Sequence, residues 1–226
     1  MVRITKRVIG LAALLGTGLA LAACNAPNAA RDLDVVSQSN NSLAFKGGLT
    51  PSVRWVTAVG NIDSAPDEID GISVDPNLNT IISGVFRKKI NIGPKAHGTR
   101  GGDDIFLSSF DRNGTLNWSH HFGGPGLDNT FDVTTDGSGN IYISGWFSDS
   151  VDFGGQTLRT RGSTDMFVAK YKSNGTLVWA RQFGGKKGDG GNEIAVTKSG
   201  EIAVSMITEG SVTIGNKKYH HGGGKR

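Results

Sequence analysis

The sequence has only one cysteine, Cys24, among its 226 residues. A single cysteine excludes an internal disulfide, and no spacing of cysteine and histidine typical of a zinc site is present. Helical periodicity is missing as well, because no stretch after Cys24 shows it over two turns. The chain has instead 34 glycines and many Asn, Asp, Ser and Thr residues. This composition is typical of a chain with many turns and short strands.

An excess of positive charge is also missing once the first 23 residues are set aside. The full sequence has 24 Lys and Arg against 20 Asp and Glu. Three of these cations, Arg3, Lys6 and Arg7, and none of the anions lie in the first 23 residues, which leaves 21 against 20 and a net charge of +1. The remaining chain therefore has no basic field, and we predict that nucleic acid is not a partner.

The first 24 residues have the pattern of an export signal. A basic segment, MVRITKR, precedes an apolar run of 16 residues from Val8 to Ala23, which is too short to span a bilayer comfortably. The segment LAAC at 21–24 resembles the lipobox of bacterial lipoproteins, in which the cysteine becomes the lipid-bearing N-terminus. We predict that residues 1–23 are a lipoprotein signal peptide and that Cys24 carries a covalent lipid. An ordinary secretory signal is the alternative.

The segment after the cysteine reads as a connection between lipid and domain. Residues 24–41 are polar and aperiodic, so we predict a lipidated tether. By resemblance to lipoproteins of two-membrane bacteria, Asn25 instead of Asp favours the outer membrane over the inner one. The expected location is therefore the bacterial cell envelope, with the membrane as a partner through the N-terminal lipid.

Three kinds of residue recur at one period along the rest of the chain. Trp55, Trp118 and Trp179 are 63 and 61 residues apart. The spacing is 61 residues throughout for two further sets, which are Asp67, Asp128 and Asp189, and Gly93, Gly154 and Gly215. A fixed period of this length indicates a tandem repeat of one structural unit.

Each copy reads as four antiparallel strands. In the middle copy the strand-like segments are TFDVTTD, NIYISGWF, MFVAKYK and TLVWARQF, with a small hairpin around VDFGGQTLRTR between the second and third. The Asn-Gly pairs at 113–114 and 174–175 predict turns with a positive φ. Trp118 and Trp179 are expected to fill the gap between diverging sheets, and the glycine pairs at 123–124 and 184–185 to allow a sharp turn into the next unit.

The phrases DMFVAKYKSNGTLVWARQFGG and GSGNIYISGWF resemble the SBBP-type β-propeller repeat of bacterial exported proteins, over about residues 53–221. The resemblance implies an all-β fold in which four-stranded blades surround a channel. We predict a β-propeller repeat domain over residues 42–226. Its units are a partial blade at 42–61, a blade at 67–124, a blade at 128–185 and a partial blade at 189–226.

The expected blades do not complete a ring. The partial blades at the two ends are complementary halves, and joining them gives three blades, whereas propellers usually have four to eight. Either several chains share one ring, which makes the protein a homo-oligomer, or the chain is a piece of a longer protein; we favour the second. In either case unpaired strand edges favour association.

The repeated aspartates are the candidate ligand site. Asp67, Asp128 and Asp189 each end a loop that the propeller resemblance places on one face, where three carboxylates around the channel mouth would hold a cation such as calcium or a polar ligand. The alternative, which we favour, is that each side chain caps its own turn by accepting backbone N–H bonds. The turns that begin at Asp111 and Asp136 loosely resemble calcium loops but lack the alternating ligands, so we predict plain turns.

The remaining residues give no sign of catalysis. His120 and His121 are adjacent on a strand and point to opposite faces, so they do not chelate one ion, and we expect both to face solvent. No nucleophile elbow or phosphate loop is present. The predicted function is therefore binding or scaffolding, with an unknown protein or glycan as ligand and no cofactor besides the lipid. The alternatives are an envelope hydrolase acting on glycans and a truncated gene product without independent function.

Overall fold

The computed structural model describes residues 10–14, 18–24, 53–60, 67–214 and 217–220, and within these ranges the chain is all-β with no helix. The tether from residue 25 to 41, most of the first partial blade and the last six residues lie outside them. No helix among the described residues is long and apolar enough to cross a membrane. We call residues 67–124, 128–185 and 189–220 the first, second and third modules.

The second module shows the predicted unit most clearly. Its four strands pair antiparallel in chain order, and a separate two-stranded hairpin lies between the second and third of them. The strands are β8 (Asp128–Thr135), β9 (Ile141–Phe147), β12 (Asp165–Tyr171) and β13 (Leu177–Phe183), and the hairpin is β10 (Ser150–Asp152) with β11 (Thr157–Arg159). The prediction of four antiparallel strands is confirmed.

The first module has the same order but longer middle strands. Its strands are β4 (Glu68–Val74), β5 (Thr80–Ile92), β6 (Lys95–Phe110) and β7 (Leu116–Phe122). The small hairpin is not separate here, because β5 and β6 continue through a register shift between Arg87 and Lys89 and stay paired to their ends at Ile92 and Lys95. The hairpin is therefore continuous with the two middle strands of this module.

The third module contains two paired strands and a hairpin, as the repeat predicts at this position. They are β14 (Asp189–Val196) with β15 (Ile202–Thr208), and β16 (Val212–Ile214) with β17 (Lys217–Tyr219). Within the described ranges no strand pairs with the outer edge of β15, and Ile207 on that strand is 68% exposed. This edge offers free backbone groups and apolar side chains to another strand.

Three further strands extend the sheet of the first module. They are β1 (Gly10–Leu14), β2 (Gly18–Cys24) and β3 (Val53–Gly60). Strand β2 pairs antiparallel with β1 and parallel with β3, and the end of β3 pairs with the end of β5. In the full-length chain the predicted signal peptide thus contributes two strands, and Cys24 lies opposite Val59 at the end of β2.

The sheets stack face to face and bury both of their faces. On β5, Ile81 belongs to the core shared with the second module, whereas the adjacent Ile82 faces the core under β3. On β9, Ile143 lies in the first of these cores, and Tyr142 packs with Ile194 of the third module. Since adjacent residues of a strand point to opposite faces, each middle sheet needs a neighbour on both sides.

Of the two outer-strand tryptophans, Trp118 lies between modules, as predicted, whereas the ring of Trp179 lies beside Tyr142 of its own module. The indole Nε1 of Trp118 donates to the carbonyl oxygen of Ser173 in the next module at 2.9 Å. Trp55 of β3 contacts the first module: its ring stacks on Phe110 and lies beside Gly114. Gly114 and Gly175 have φ angles of 83° and 82°, which confirms the predicted Asn-Gly turns.

Candidate functional site

The three repeated aspartates are buried at the start of their strands. Asp67 is 7% exposed, Asp128 0% and Asp189 3%. Asp128 Oδ2 accepts a hydrogen bond from the N–H of Gly124 at 2.9 Å, and Asp189 Oδ2 accepts one from Gly185 at 2.6 Å. In both cases the donor lies four residues before the aspartate, as expected if each aspartate caps its own turn. An arc of ligand-binding carboxylates stays a prediction.

A second buried aspartate lies near each of these caps. Asp104 lies within β6, Asp165 begins β12, and both are 0% exposed. Asp104 Oδ2 accepts from the N–H of Arg100 at 3.1 Å, and Asp165 Oδ2 accepts from the side-chain amide of Gln182 at 2.8 Å. A side chain at Gly123 would overlap the Asp104 carboxylate. The exit glycine is thus required by close approach, whereas its φ is not positive, so a left-handed backbone is not the reason for a glycine here.

The buried carboxyl groups share one feature of their hydrogen bonding. The Oδ1 atoms of four of them have no hydrogen-bond partner, namely Asp104, Asp128, Asp165 and Asp189. Burial raises the pKa of Asp128 to about 7. The hydrogen bond from Gly124 lowers this pKa, and the negative charge of Asp104 raises it further. Burial likewise raises the pKa of Asp104 to about 6. Near neutral pH these two groups therefore hold at least part of a proton inside the first junction between modules.

An open cleft lies elsewhere, on the first strands of the three modules and the second strand of the third. It has a volume of about 670 Å³ and is lined by residues of β4, β8, β14 and β15, which are Asp70, Phe131, Asp132, Asn192, Glu193, Ile194, Ala195, Ala203, Val204 and Ser205. Two of these strands are tied together there, because Asp132 Oδ2 accepts from the N–H of Ile194 at 3.1 Å. The cleft is therefore built by the contact of successive modules.

The cleft combines negative charge with an apolar floor. Burial, followed by the charge of Glu68, raises the pKa of Asp70 to about 7, and Asp70 Oδ2 has no hydrogen-bond partner. Burial also raises the pKa of Asp132, whereas Glu193 is exposed. No Lys, Arg or His is among the described residues that line the cleft. The cleft thus presents carboxyl groups that the chain itself leaves without a cation.

Sequence reasoning missed this cleft, although a signal was present. At the position of Asp70 the next copies have Phe131 and Asn192, and at the position of Asp132 the last copy has Glu193. The copies agree on the turns but differ along the first strand. Folding therefore does not fix which residues occupy the outward face of this strand. The pattern alone does not show that these faces converge on one cleft.

The adjacent histidines have different surroundings on the two faces of β7. The ring of His120 lies between Trp118 and Phe122, with ring centroids 5.2 and 6.2 Å away. His121 faces the opposite side and contacts Phe86 and His97. The prediction of opposite faces is confirmed. The expectation of solvent-facing rings is wrong, because both histidines are half-buried and burial lowers the pKa of each.

The aspartate-led turns are plain turns, as predicted. Asp111 Oδ1 accepts from the N–H groups of Asn113 and Thr115, both at 2.8 Å. Asp136 Oδ1 does the same for Ser138 and Asn140, both at 2.9 Å. Each carboxylate is occupied by its own backbone, so these turns have no free set of oxygens for calcium.

No protein-family model matches this chain, and no curated protein matches it. The likeness to the SBBP-type repeat is therefore carried by the repeated phrases alone. The 61-residue period and the strands that follow it are the chain's own evidence for its architecture.

Proposed function

We propose that the protein is a lipid-anchored β-propeller module of the bacterial cell envelope that binds a protein or glycan ligand in its acidic cleft. The observation that carries the binding function is the cleft itself, in which three modules combine carboxyl groups and an exposed aromatic ring, Phe131, without a cation of their own. Such a surface favours a ligand segment with an amine or guanidinium next to an apolar part.

Equivalent contacts between modules support the propeller arrangement. Gly60 of β3 pairs with Asn91 of the first module, and Gly123 of the first module makes the matching bridge to Asp152 of the second. The first strands also touch, since Thr135 Oγ1 donates to the carbonyl oxygen of Val74 at 3.1 Å. Repeating one such step brings the modules around an axis lined by their first strands. Ring closure then needs further modules, supplied by other copies of the chain or by additional sequence.

Binding is favoured over glycan hydrolysis by the location of the acids. A glycosidase needs a protonated carboxyl group beside the scissile bond and a second carboxylate across from it. Asp104 and Asp128 have raised pKa values, but both side chains are fully buried at the junction of two modules. A sugar does not reach either of them in this fold. The carboxyl group of Asp70 in the cleft also has a raised pKa, but its Oδ2 atom is buried, so recognition is the role that the cleft supports best.

Anchoring is tested by replacing the lipidated residue. In a two-membrane bacterial host fed labelled palmitate, we expect the natural protein to be labelled and membrane-bound, and the Cys24→Ser variant to be unlabelled, because serine has no thiol to acylate. Cleavage before Cys24 would also remove β1 and all but the last residue of β2. An Asn25→Asp variant serves as the control for sorting, with label retained but the inner membrane as its location. A natural protein without label would refute the anchor.

Binding in the cleft is tested with a matched pair of charge changes. Glu193 lines the cleft and is exposed, so Glu193→Gln removes a charge there without disturbing the core. With a fluorescein-labelled oligolysine peptide at low salt, we expect this change to weaken binding about five-fold, the loss of one partly exposed ion pair. The exposed Glu209, which is not among the lining residues, gives the control Glu209→Gln, which should bind as the natural protein does. Equal weakening in both variants would mean that the peptide responds only to the net charge of the protein, and the cleft would not be the binding site.

A further inference from the structure

The hairpin of the first module folds over β7 and brings two histidine rings together. His97 lies on the hairpin part of β6, and His121 is the last but one residue of β7. Their Nδ1 atoms are 3.2 Å apart, and the ring centroids are 5.2 Å apart. The two residues are separated by 24 positions in the sequence, so the contact exists only because the extended hairpin returns across the sheet.

The separation of the two nitrogens suits a shared metal ion. Imidazole nitrogens bind zinc at about 2.0–2.1 Å, and two ligands of one tetrahedral ion are then about 3.4 Å apart. The observed 3.2 Å is close to that value. The same distance also fits a single N–H···N hydrogen bond, so the metal must be distinguished from that bond by experiment.

A hydroxyl network holds one of the rings in position. His97 Nε2 is 2.8 Å from the hydroxyl of Ser119, and Ser119 in turn accepts a hydrogen bond from Ser108 at 2.9 Å. Both serines are buried. If His97 Nε2–H donates to Ser119, the Nδ1 lone pair points to His121 and is free for a ligand. This is the arrangement in which a second partner orients a metal-binding histidine.

We infer that His97 and His121 form a two-histidine site for a divalent transition-metal ion of the zinc type. Among the described residues no group of three or more His, Cys, Asp or Glu side chains is placed to hold a metal. The protein therefore supplies two ligands, and water completes the coordination of the ion. Both rings are half-buried. The bound ion would tie the hairpin to β7.

The neighbouring charges limit the affinity of this site. The positive charge of Lys95 acts on His97, and that of Arg100 acts on His121. Both oppose a divalent cation, and no carboxylate among the described residues completes the site. Borderline metals that bind imidazole well are therefore favoured over calcium and magnesium, which prefer oxygen ligands.

Isothermal titration of the full chain with zinc chloride tests the site. We expect His97→Gln and His121→Gln each to weaken zinc binding at least about ten-fold, because each removes one of two protein ligands. Ser119→Ala should weaken it about ten-fold through the lost orientation of His97. His120→Gln is the matched control, since this adjacent ring faces the other side of β7, and it should bind zinc as the natural chain does.

A second control combines His220→Gln with His221→Gln, which should leave zinc binding at His97 and His121 unchanged. Thermal melts followed by circular dichroism check that each variant folds. Zinc binding that is the same in His97→Gln, His121→Gln and the natural chain would overturn the proposal. No zinc uptake by the natural chain at about 1 mM would also overturn it and leave the two rings joined by a hydrogen bond.

Discussion

An Asp128→Asn variant is expected to be more stable than the natural protein at pH 8, by roughly 2–4 kcal/mol in the free energy of unfolding. The pKa of Asp128 in the folded protein is about 7, above its ordinary value of 3.8, so folding favours the protonated form. Below pH 4 the group is protonated in both states and costs nothing. Between about pH 4 and 7 the unfolded state ionises while the folded state keeps the proton, so stability falls over this range and levels off above pH 7, where both states are ionised. Asparagine still accepts the N–H of Gly124 and never ionises.

Urea unfolding at pH 4.5 and pH 8 measures this difference. The advantage of Asp128→Asn should be small at the lower pH and largest at the higher one. Asp111→Asn is the control of opposite sign, because hydrogen bonds from Thr115 and Asn113 lower the pKa of that exposed carboxyl group. It should give no stabilisation at pH 8. A loss of stability of Asp128→Asn at both pH values would mean that the fold needs the ionised carboxylate, and a bound cation would then become the better explanation.

The strands were predictable because the same pattern occurs more than once. Turn residues such as Asn113-Gly114 have a local cause in the positive φ of the glycine, and they divide the chain into segments short enough for strands. Copies of one unit at a spacing of 61 then removed the ambiguity of any single segment. The extended hairpin of the first module could not be predicted in this way, since the other copies have a separate hairpin.

The candidate sites were much less predictable than the strands. A turn-capping role for Asp128 follows from local chemistry, and the structure shows the corresponding bond to Gly124. The cleft around Asp70 and Glu193 depends on which faces of three modules converge, and the pair of His97 and His121 depends on a hairpin that folds back. Such contacts join residues that are distant in sequence, and no local pattern marks them. The copies do differ at these positions, which is the one clue that the sequence contains.

Replacing Gly145 by alanine should destabilise the protein by about 2–4 kcal/mol. Gly145 lies in the second strand of its module opposite Thr130, where the register shifts between Thr130 and Asp132. A methyl group at this position would overlap the carbonyl oxygen of Asn129 and come within 2.8 Å of the ring of Phe167. Neither the backbone nor the buried ring can yield without moving the sheet. A melting curve followed by circular dichroism measures the loss.

The equivalent positions of the other modules also contain a glycine. The equivalent cross-strand pairs are Ile69 with Gly84 and Gly191 with Met206, so each pair contains one glycine, on either strand. A Thr130→Gly and Gly145→Ala double variant copies the pair of the third module but keeps the Asn129 carbonyl oxygen and the Phe167 ring, so it should stay at least as unstable as Gly145→Ala. Gly98→Ala, which meets only a carbonyl oxygen 3.7 Å away, should be nearly neutral. If Gly145→Ala and Gly98→Ala had equal melting temperatures, the close approach of the first strand to the second would not require a glycine. The presence of Gly145 would then need another explanation.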